Sequence, residues 1–181
     1  LEKAFASPTT DPATGLAQTT EADRAVGFGF CDAEAHTGKL LFASLLRYRA
    51  AGELAELAGA LGHRERVADY KQIQAAIRAN LVPTFADPKR IGGWLRASTG
   101  LSSQPDVWGT LFALHLGVLD RPAAAAARKT VADAVRRGTI TFEGGVREPT
   151  IAWWPGKVAA ASTCDAIAGN IDFLPTFVGL A

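Results

Sequence analysis

Apolar residues recur at helical spacing in two separate parts of the chain. From about Gly38 to Leu61, the positions Leu41, Leu45, Tyr48, Ala51, Leu54, Ala55, Ala58 and Leu61 are three or four residues apart, the period that lines one face of a helix. Ser44, Arg47, Glu53 and Glu56 occupy most of the other face. Gly62 ends this helix, and after His63 a second one is predicted to about Leu81, with Val67, Tyr70, Ile73, Ile77 and Leu81 on one stripe and Pro83 as its stop. So short a connection forces the two helices antiparallel, an αα-hairpin.

The pattern then repeats. Residues 83 to 104 read as a long loop, after which Pro105 and Asp106 begin a third helix to about Leu119. Proline suits a first turn because its missing N–H would be unbonded there. Asp120 is placed to cap a fourth helix that runs through Ala123 to Ala127 and ends at Arg136, Arg137 and Gly138. The tight turns at Gly62 and Asp120 therefore fall at one end of the two hairpins. The long segments at residues 12 to 37 and 83 to 104 fall at the other, where a helical scaffold commonly carries binding groups.

Outside the hairpins the periodicity is lost. Residues 1 to 37 are rich in Thr, Ala, Gly and Pro and read as loop, ordered only by packing on something else. Within them Gly27-Phe28-Gly29-Phe30-Cys31-Asp32-Ala33-Glu34 sets two aromatics between glycines and follows them with two carboxylates, which an extended backbone would turn to one side. After Gly138 the Ala-rich helix gives way to a strand near Thr150 to Trp154, a turn at Pro155-Gly156, and a helix from about Asp172. The fold class is mainly α, with a strand-plus-helix tail, and the organisation is a helical part over 1–138 and a tail over 139–181.

At 181 residues, 48% hydrophobic and 20% charged, the chain has the composition of a globular domain with a real core. Its 19 basic and 18 acidic residues are spread along the length, giving a net charge of +1. No footprint for nucleic acid or anionic lipid is visible, and no run reaches the roughly 18 apolar residues of a membrane span. Leu1-Glu2-Lys3-Ala4-Phe5 has no secretion signal, and the chain contains no Met, which suggests an internal piece of a longer protein. Cys31 and Cys164 have neither metal-ligand spacing nor the density of a disulfide scaffold, and His36, His63 and His115 do not converge with other ligands, so no metal site is expected. Neither a phosphate loop nor a dinucleotide fingerprint occurs, and no cofactor is expected.

The stretch Gly93 to Trp108 concentrates groups that suit a sugar. Trp94 and Trp108 offer flat apolar faces, and Arg96, Ser98, Gln104 and Asp106 offer hydrogen-bonding groups. Trp108 falls within the third helix four residues before Phe112, which favours core packing for it. Trp94, Arg96 and Gln104 are the exposed candidates, with Phe28 from the earlier loop.

Two resemblances follow from these motifs. GFGFCDAEAHTGKLLFASLLRYRAAGELAELAGALG, then GWLRASTG and SSQPDVWGTLFALHLGVL, resembles the six-hairpin glycosidases over about residues 15 to 138. That resemblance implies part of an (α/α)6 toroid, two hairpins of six, with an oligosaccharide or polysaccharide as partner. Glycoside hydrolysis uses two carboxyl groups about 5 to 9.5 Å apart. The candidates are Asp32, Glu34 and Asp106, although Asp106 and Glu34 also suit the role of first-turn acids facing a helix dipole.

TFEGGVREPTIAWWPGKV and CDAIAGNIDFLPTFVGLA, over residues 141 to 181, are similar to the arylsulfatase-type sulfatases. This second resemblance implies a nucleophile motif Cys/Ser-x-Pro-x-Arg, acidic metal ligands, and a basic residue five before the Glu-Gly-Gly element. Ser103-Gln104-Pro105-Asp106-Val107 lacks the Arg, Gly138 stands at the basic position, and no Asp-Asp pair occurs. The chain thus reads as parts of two families meeting near residues 138 to 142, with no sulfatase activity of its own. Both parent families imply a periplasmic or extracellular setting. Hairpins without their neighbours leave apolar faces in water, which predicts self-association. Three functions are carried forward: an incomplete carbohydrate-active hydrolase, a non-catalytic carbohydrate-binding module, and a chimeric product without function.

Overall fold

The structure, a computed structural model, describes residues 2–22 and 36–139. The chain divides into two units, Leu1–Gly144 and Gly145–Ala181, and the described residues all belong to the first. Phe28, Asp32 and Glu34, Cys31 and Cys164, and the expected tail strand and helix lie outside the described residues.

The described part is mainly helical. α1 (Glu2–Ala6) and β1 (Gln18–Thr19) precede β2 (Gly38–Lys39), and α2 (Leu41–Ala60) and α3 (Arg64–Phe85) form the first hairpin. A single turn α4 (Pro88–Ile91), β3 (Leu95–Arg96) and β4 (Pro105–Asp106) lead into α5 (Val107–His115) and α6 (Arg121–Arg137), the second hairpin. Gly62 and Gly138 close α2 and α6 with φ of +79° and +63°, the left-handed backbone that glycine adopts without a Cβ penalty.

Several expected boundaries shift, each for a local reason. The first long helix begins at Leu41 rather than Gly38, because Gly38 and Lys39 pair antiparallel with Thr19 and Gln18. The second runs past Pro83 to Phe85. Proline there costs one N–H within the last turn, while Leu81 and Phe85, four apart and both fully buried, hold that turn against the core. The third helix starts at Val107, since Pro105 and Asp106 pair with Arg96 and Leu95, and it stops at His115 before a turn at Gly117. The segment 83 to 104 holds α4, capped by the Asp87 carboxylate on the Arg90 N–H at 3.3 Å. The opening stretch, expected as loop, carries α1 and β1 because it packs on the first hairpin.

One core joins both hairpins. It is built from Leu41 and Leu45 of α2, Ile77, Leu81 and Phe85 of α3, Ala113 of α5, Val118 and Leu119 of the second tight turn, and Ala124 and Ala127 of α6. Leu16 enters it from the opening loop and Leu95 from β3, and Leu16 is fully buried; a buried leucine contributes roughly 1.5–3 kcal/mol. Ser44, expected on the solvated face, is also fully buried. Its hydroxyl donates to the Leu40 carbonyl at 2.6 Å and accepts the Ala17 N–H at 3.0 Å, so the polar atom is satisfied inside. Two residues expected in the core are not there: Leu61 is 63% exposed and Trp108 51%. Leu61 sits at the turn, beyond the last packed residue of α2, and Trp108 lies on the opposite side of α5 from the buried Ala113.

Candidate functional site

The segments leading into α2 and α5 meet at one end of the helices. Leu40 and Ser98 form an antiparallel bridge, and the Leu41 N–H donates to the Ala97 carbonyl at 2.9 Å. The Lys39 N–H donates to the Thr99 hydroxyl at 2.8 Å, and the Leu101 N–H to the Thr37 hydroxyl at 2.8 Å. Buried Ser98 turns the loop back on itself by donating to the carbonyls of Leu101 and Ser102. The described parts of the two long loops therefore share an end, as the placement of the tight turns predicted.

Asp106 stands at the centre of this region. Its Oδ1 accepts the Gly109 N–H at 2.7 Å, which caps α5, and its carbonyl accepts the Thr110 hydroxyl at 2.6 Å. Thr110, fully buried, accepts the Leu95 N–H at 3.0 Å in turn, which ties β3 to the helix. Gly109 is required by this packing, since a Cβ there would stand 2.5 Å from both Asp106 Oδ2 and Leu41 Cδ2. The first-turn acid is thus a helix cap in the structure.

Arg96 is also occupied. Its Nε and Nη2 both donate to the Thr84 carbonyl, at 3.0 and 2.5 Å, near the C-terminus of α3, where a cation meets the negative end of the helix dipole. Trp94 is half-buried, next to Gly93, whose N–H donates to the Thr130 hydroxyl at 3.1 Å. That approach leaves no space for a side chain at residue 93, because a Cβ would overlap the Ala126 carbonyl of α6. Gln104 is half-buried, its carbonyl accepts the Ala97 N–H at 2.9 Å, and its residue has a further interaction. The candidates Trp94, Arg96, Gln104 and Asp106 thus belong to one loop system whose parts are fixed by hydrogen bonds. Phe28, Asp32 and Glu34 lie outside the described residues.

A further carboxylate lies at the same end. Asp11 accepts from the Thr14 hydroxyl at 2.6 Å and the Ala13 N–H at 3.2 Å, and pairs with Lys39 at 2.7 Å. The Lys39 hydrogen bond, helped by those from Thr14 and Ala13, holds its carboxyl at about 2, below the usual 3.8. Such a group is ionised throughout the range in which a general acid would need its proton, so it anchors the opening loop to β2 and does not protonate a leaving group. Among the described residues, no three His, Cys, Asp or Glu side chains are grouped to hold a metal ion.

Sequence reasoning missed Thr37, Thr99 and Thr110 as the pins of this region. Hydroxyls carry no pattern of their own, and only the tertiary pairing reveals their partners. Trp108 was missed in the opposite sense: its position in the first turn of a helix at the loop end was the available signal for exposure.

The remaining question is kinship, and a short segment answers part of it. The chain is 53% identical over 45 residues to arylsulfatase A of Bos taurus, a match covering 25% of this chain and 8% of that protein. A quarter of the chain is sulfatase-like. Arylsulfatase A of Homo sapiens is 51% identical over 45 residues, and N-acetylgalactosamine-6-sulfatase of Mus musculus is 49% identical over 41 residues, 23% of this chain and 8% of that protein. The chain spans about 8% of the length of these curated relatives. No family model matches it. The resemblance of residues 15–138 to six-hairpin glycosidases rests on its motifs and on the two hairpins alone.

Proposed function

We propose that the chain contains a fragment of a sulfuric-ester hydrolase, the segment 141–181, separated from the groups that hydrolyse the ester. The observation that carries this reading is the identity of 53% over 45 residues to an arylsulfatase, together with the absence of the nucleophile motif and of an acidic pair from the sequence. The near-miss Ser103-Gln104-Pro105-Asp106-Val107 supports the same reading. Pro105 and Asp106 are paired in β4, the Asp106 carboxylate caps α5, and Val107 opens the helix where the motif needs an arginine.

A second reading concerns the helical unit, and the convergence of its loops at one end favours it. In this reading residues 1–138 derive from a six-hairpin glycosidase and retain a surface for oligosaccharide or polysaccharide, with Trp94 as the stacking ring and Gln104 beside it. Arg96 and Asp106 then hold the loop in shape, and the chain binds sugar without cleaving it. Asp32, Glu34 and Phe28 remain the candidates for contact from the earlier loop.

The test is an assay of sulfate release from an aryl sulfate and from sulfated oligosaccharides, run beside calorimetric titration with the same sugars. The proposal expects no sulfate release, and heat of binding that Trp94→Ala removes. Sulfate release by the purified chain overturns the first reading. Absence of heat across neutral and sulfated sugars overturns the second.

A further inference from the structure

The short helix α1 is held on the first hairpin by contacts of a distinct kind. None of its residues is buried, yet Phe5 is gripped from two sides. The Arg47 guanidinium lies 4.2 Å from the centre of its ring, and the Tyr70 ring meets it edge-on at 5.6 Å and 85°. Arg47 Nη1 also donates to the Phe5 carbonyl at 2.7 Å. Glu2, three residues earlier and so on the same side of the turn, accepts from the Tyr70 hydroxyl at 3.1 Å and faces Arg66 Nε at 3.7 Å. Ala55, Ala58 and Tyr70 form a small apolar cluster, against which Phe5, Leu54 and Val67 pack, with Ile73 shared between it and the main core.

This face therefore reads three features together: an aromatic ring, a backbone carbonyl beside it, and a carboxylate three residues before it. The ring is met by a cation and an aromatic edge, and the carboxylate by a phenol and a second arginine. Small side chains at 55 and 58 leave depth for the ring. Between α1 and the bridge of Thr10 with Ala17 the tether is only Ser7, Pro8 and Thr9.

We propose that this face of the α2–α3 hairpin is a docking site for a helical turn carrying a carboxylate and an aromatic ring three residues apart, filled here by the chain's own α1 and open to α1 of a second copy. Every copy carries both the site and its occupant, and exchange between copies reforms the same contacts, the condition under which segment swapping is cheap. The short tether keeps α1 near its own site at an effective concentration on the order of mM. Exchange between intact copies is therefore suppressed at micromolar concentration and appears when the resident α1 is weakened.

The acceptor for the test is the full chain carrying Glu2→Ala and Phe5→Ala. The probe is a synthetic peptide of residues 1–9 with 4-fluorophenylalanine at position 5, followed by fluorine NMR. The peptide is expected to saturate the acceptor with an affinity at least tenfold above that for the unmodified chain, and Arg47→Ala in the acceptor is expected to weaken binding at least fivefold. Equal response of acceptor and unmodified chain, or no response at millimolar peptide, overturns the proposal. Phe5→Ala alone is a second acceptor, which keeps the test decisive if the double variant loses its helical circular dichroism. For the second copy itself, an Arg47→Ala chain, whose own α1 is loosened, is mixed with the acceptor at concentrations that saturate the peptide. Co-sedimentation is expected, and independent sedimentation overturns exchange between copies.

Discussion

Replacing Asp106 separates a structural role from a chemical one. Its carboxylate accepts the Gly109 N–H at 2.7 Å and so satisfies one of the unbonded donors in the first turn of α5. Removing such a cap costs about 0.5–2 kcal/mol, and a negative charge at a helix N-terminus adds about 0.3–1 kcal/mol. Asp106 is half-buried and β4 ends on it, so the upper half of the first range applies. Asp106→Ala is then expected to lose about 1–2 kcal/mol. At about 2–4 °C per kcal/mol for a chain of this size, its melting temperature falls by roughly 2–8 °C. Asp106→Asn keeps an oxygen that accepts the N–H and loses only the charge, so it melts between the parent and the alanine variant. Thermal unfolding followed at 222 nm measures all three. Equal melting of the Asn and Ala variants would falsify the capping argument, as would an alanine variant that melts with the parent.

Further consequences concern packing and charge. Gly93→Ala places a methyl group against the Ala126 carbonyl, and urea titration is expected to show a loss of about 1–3 kcal/mol as the loop is forced off α6. Phe85→Ala empties a fully buried site in the joint core, with an expected loss of about 3–5 kcal/mol and a lower urea midpoint. Because the Asp11 carboxyl is lowered to about 2 from 3.8, the stabilisation that its pairing gives is complete above 3.8 and is lost as pH falls through about 2. The stability difference between the parent and Asp11→Asn should accordingly vanish on that descent, and a difference unchanged across it counts against the Lys39 pair.

The two hairpins were legible because Leu41, Leu45, Tyr70, Ile77 and Leu81 repeat at the helical period and because Gly62, Asp120 and Gly138 punctuate them. Asp120 does cap its helix, accepting the Ala123 N–H at 2.8 Å. What local signals could not show was decided by pairing between distant segments. Gly38 and Lys39 look like a helix start until Gln18 and Thr19 claim them, and Ser44 looks solvated until the Ala17 N–H needs an acceptor. Pro83 predicts a stop because the preference of proline is local, whereas the burial of Phe85 that holds the last turn is not. The candidate site was legible as a place more than as a mechanism. Its polar residues do gather at one end, but the hydrogen bonds of Arg96 and Asp106 tie the loop to the end of α3 and the start of α5.

The kinship is uneven in the same way. The similarity to sulfatases is about 50% identity concentrated in a quarter of the chain. Helical hairpins are generic by comparison, since many sequences satisfy one apolar stripe per helix. Strong identity over a short segment thus establishes similarity there without supplying the catalytic groups that a whole enzyme draws from elsewhere in its chain.

The proposal of a sulfatase-like segment without its chemistry, and of a helical unit that binds sugar, is tested most directly in one sample. Purified chain is titrated calorimetrically with sulfated oligosaccharides, and the cell contents are then analysed for free sulfate and new reducing ends. The account predicts heat of binding with neither product. Free sulfate from the unmodified chain, or no heat with any of the sugars, would contradict it.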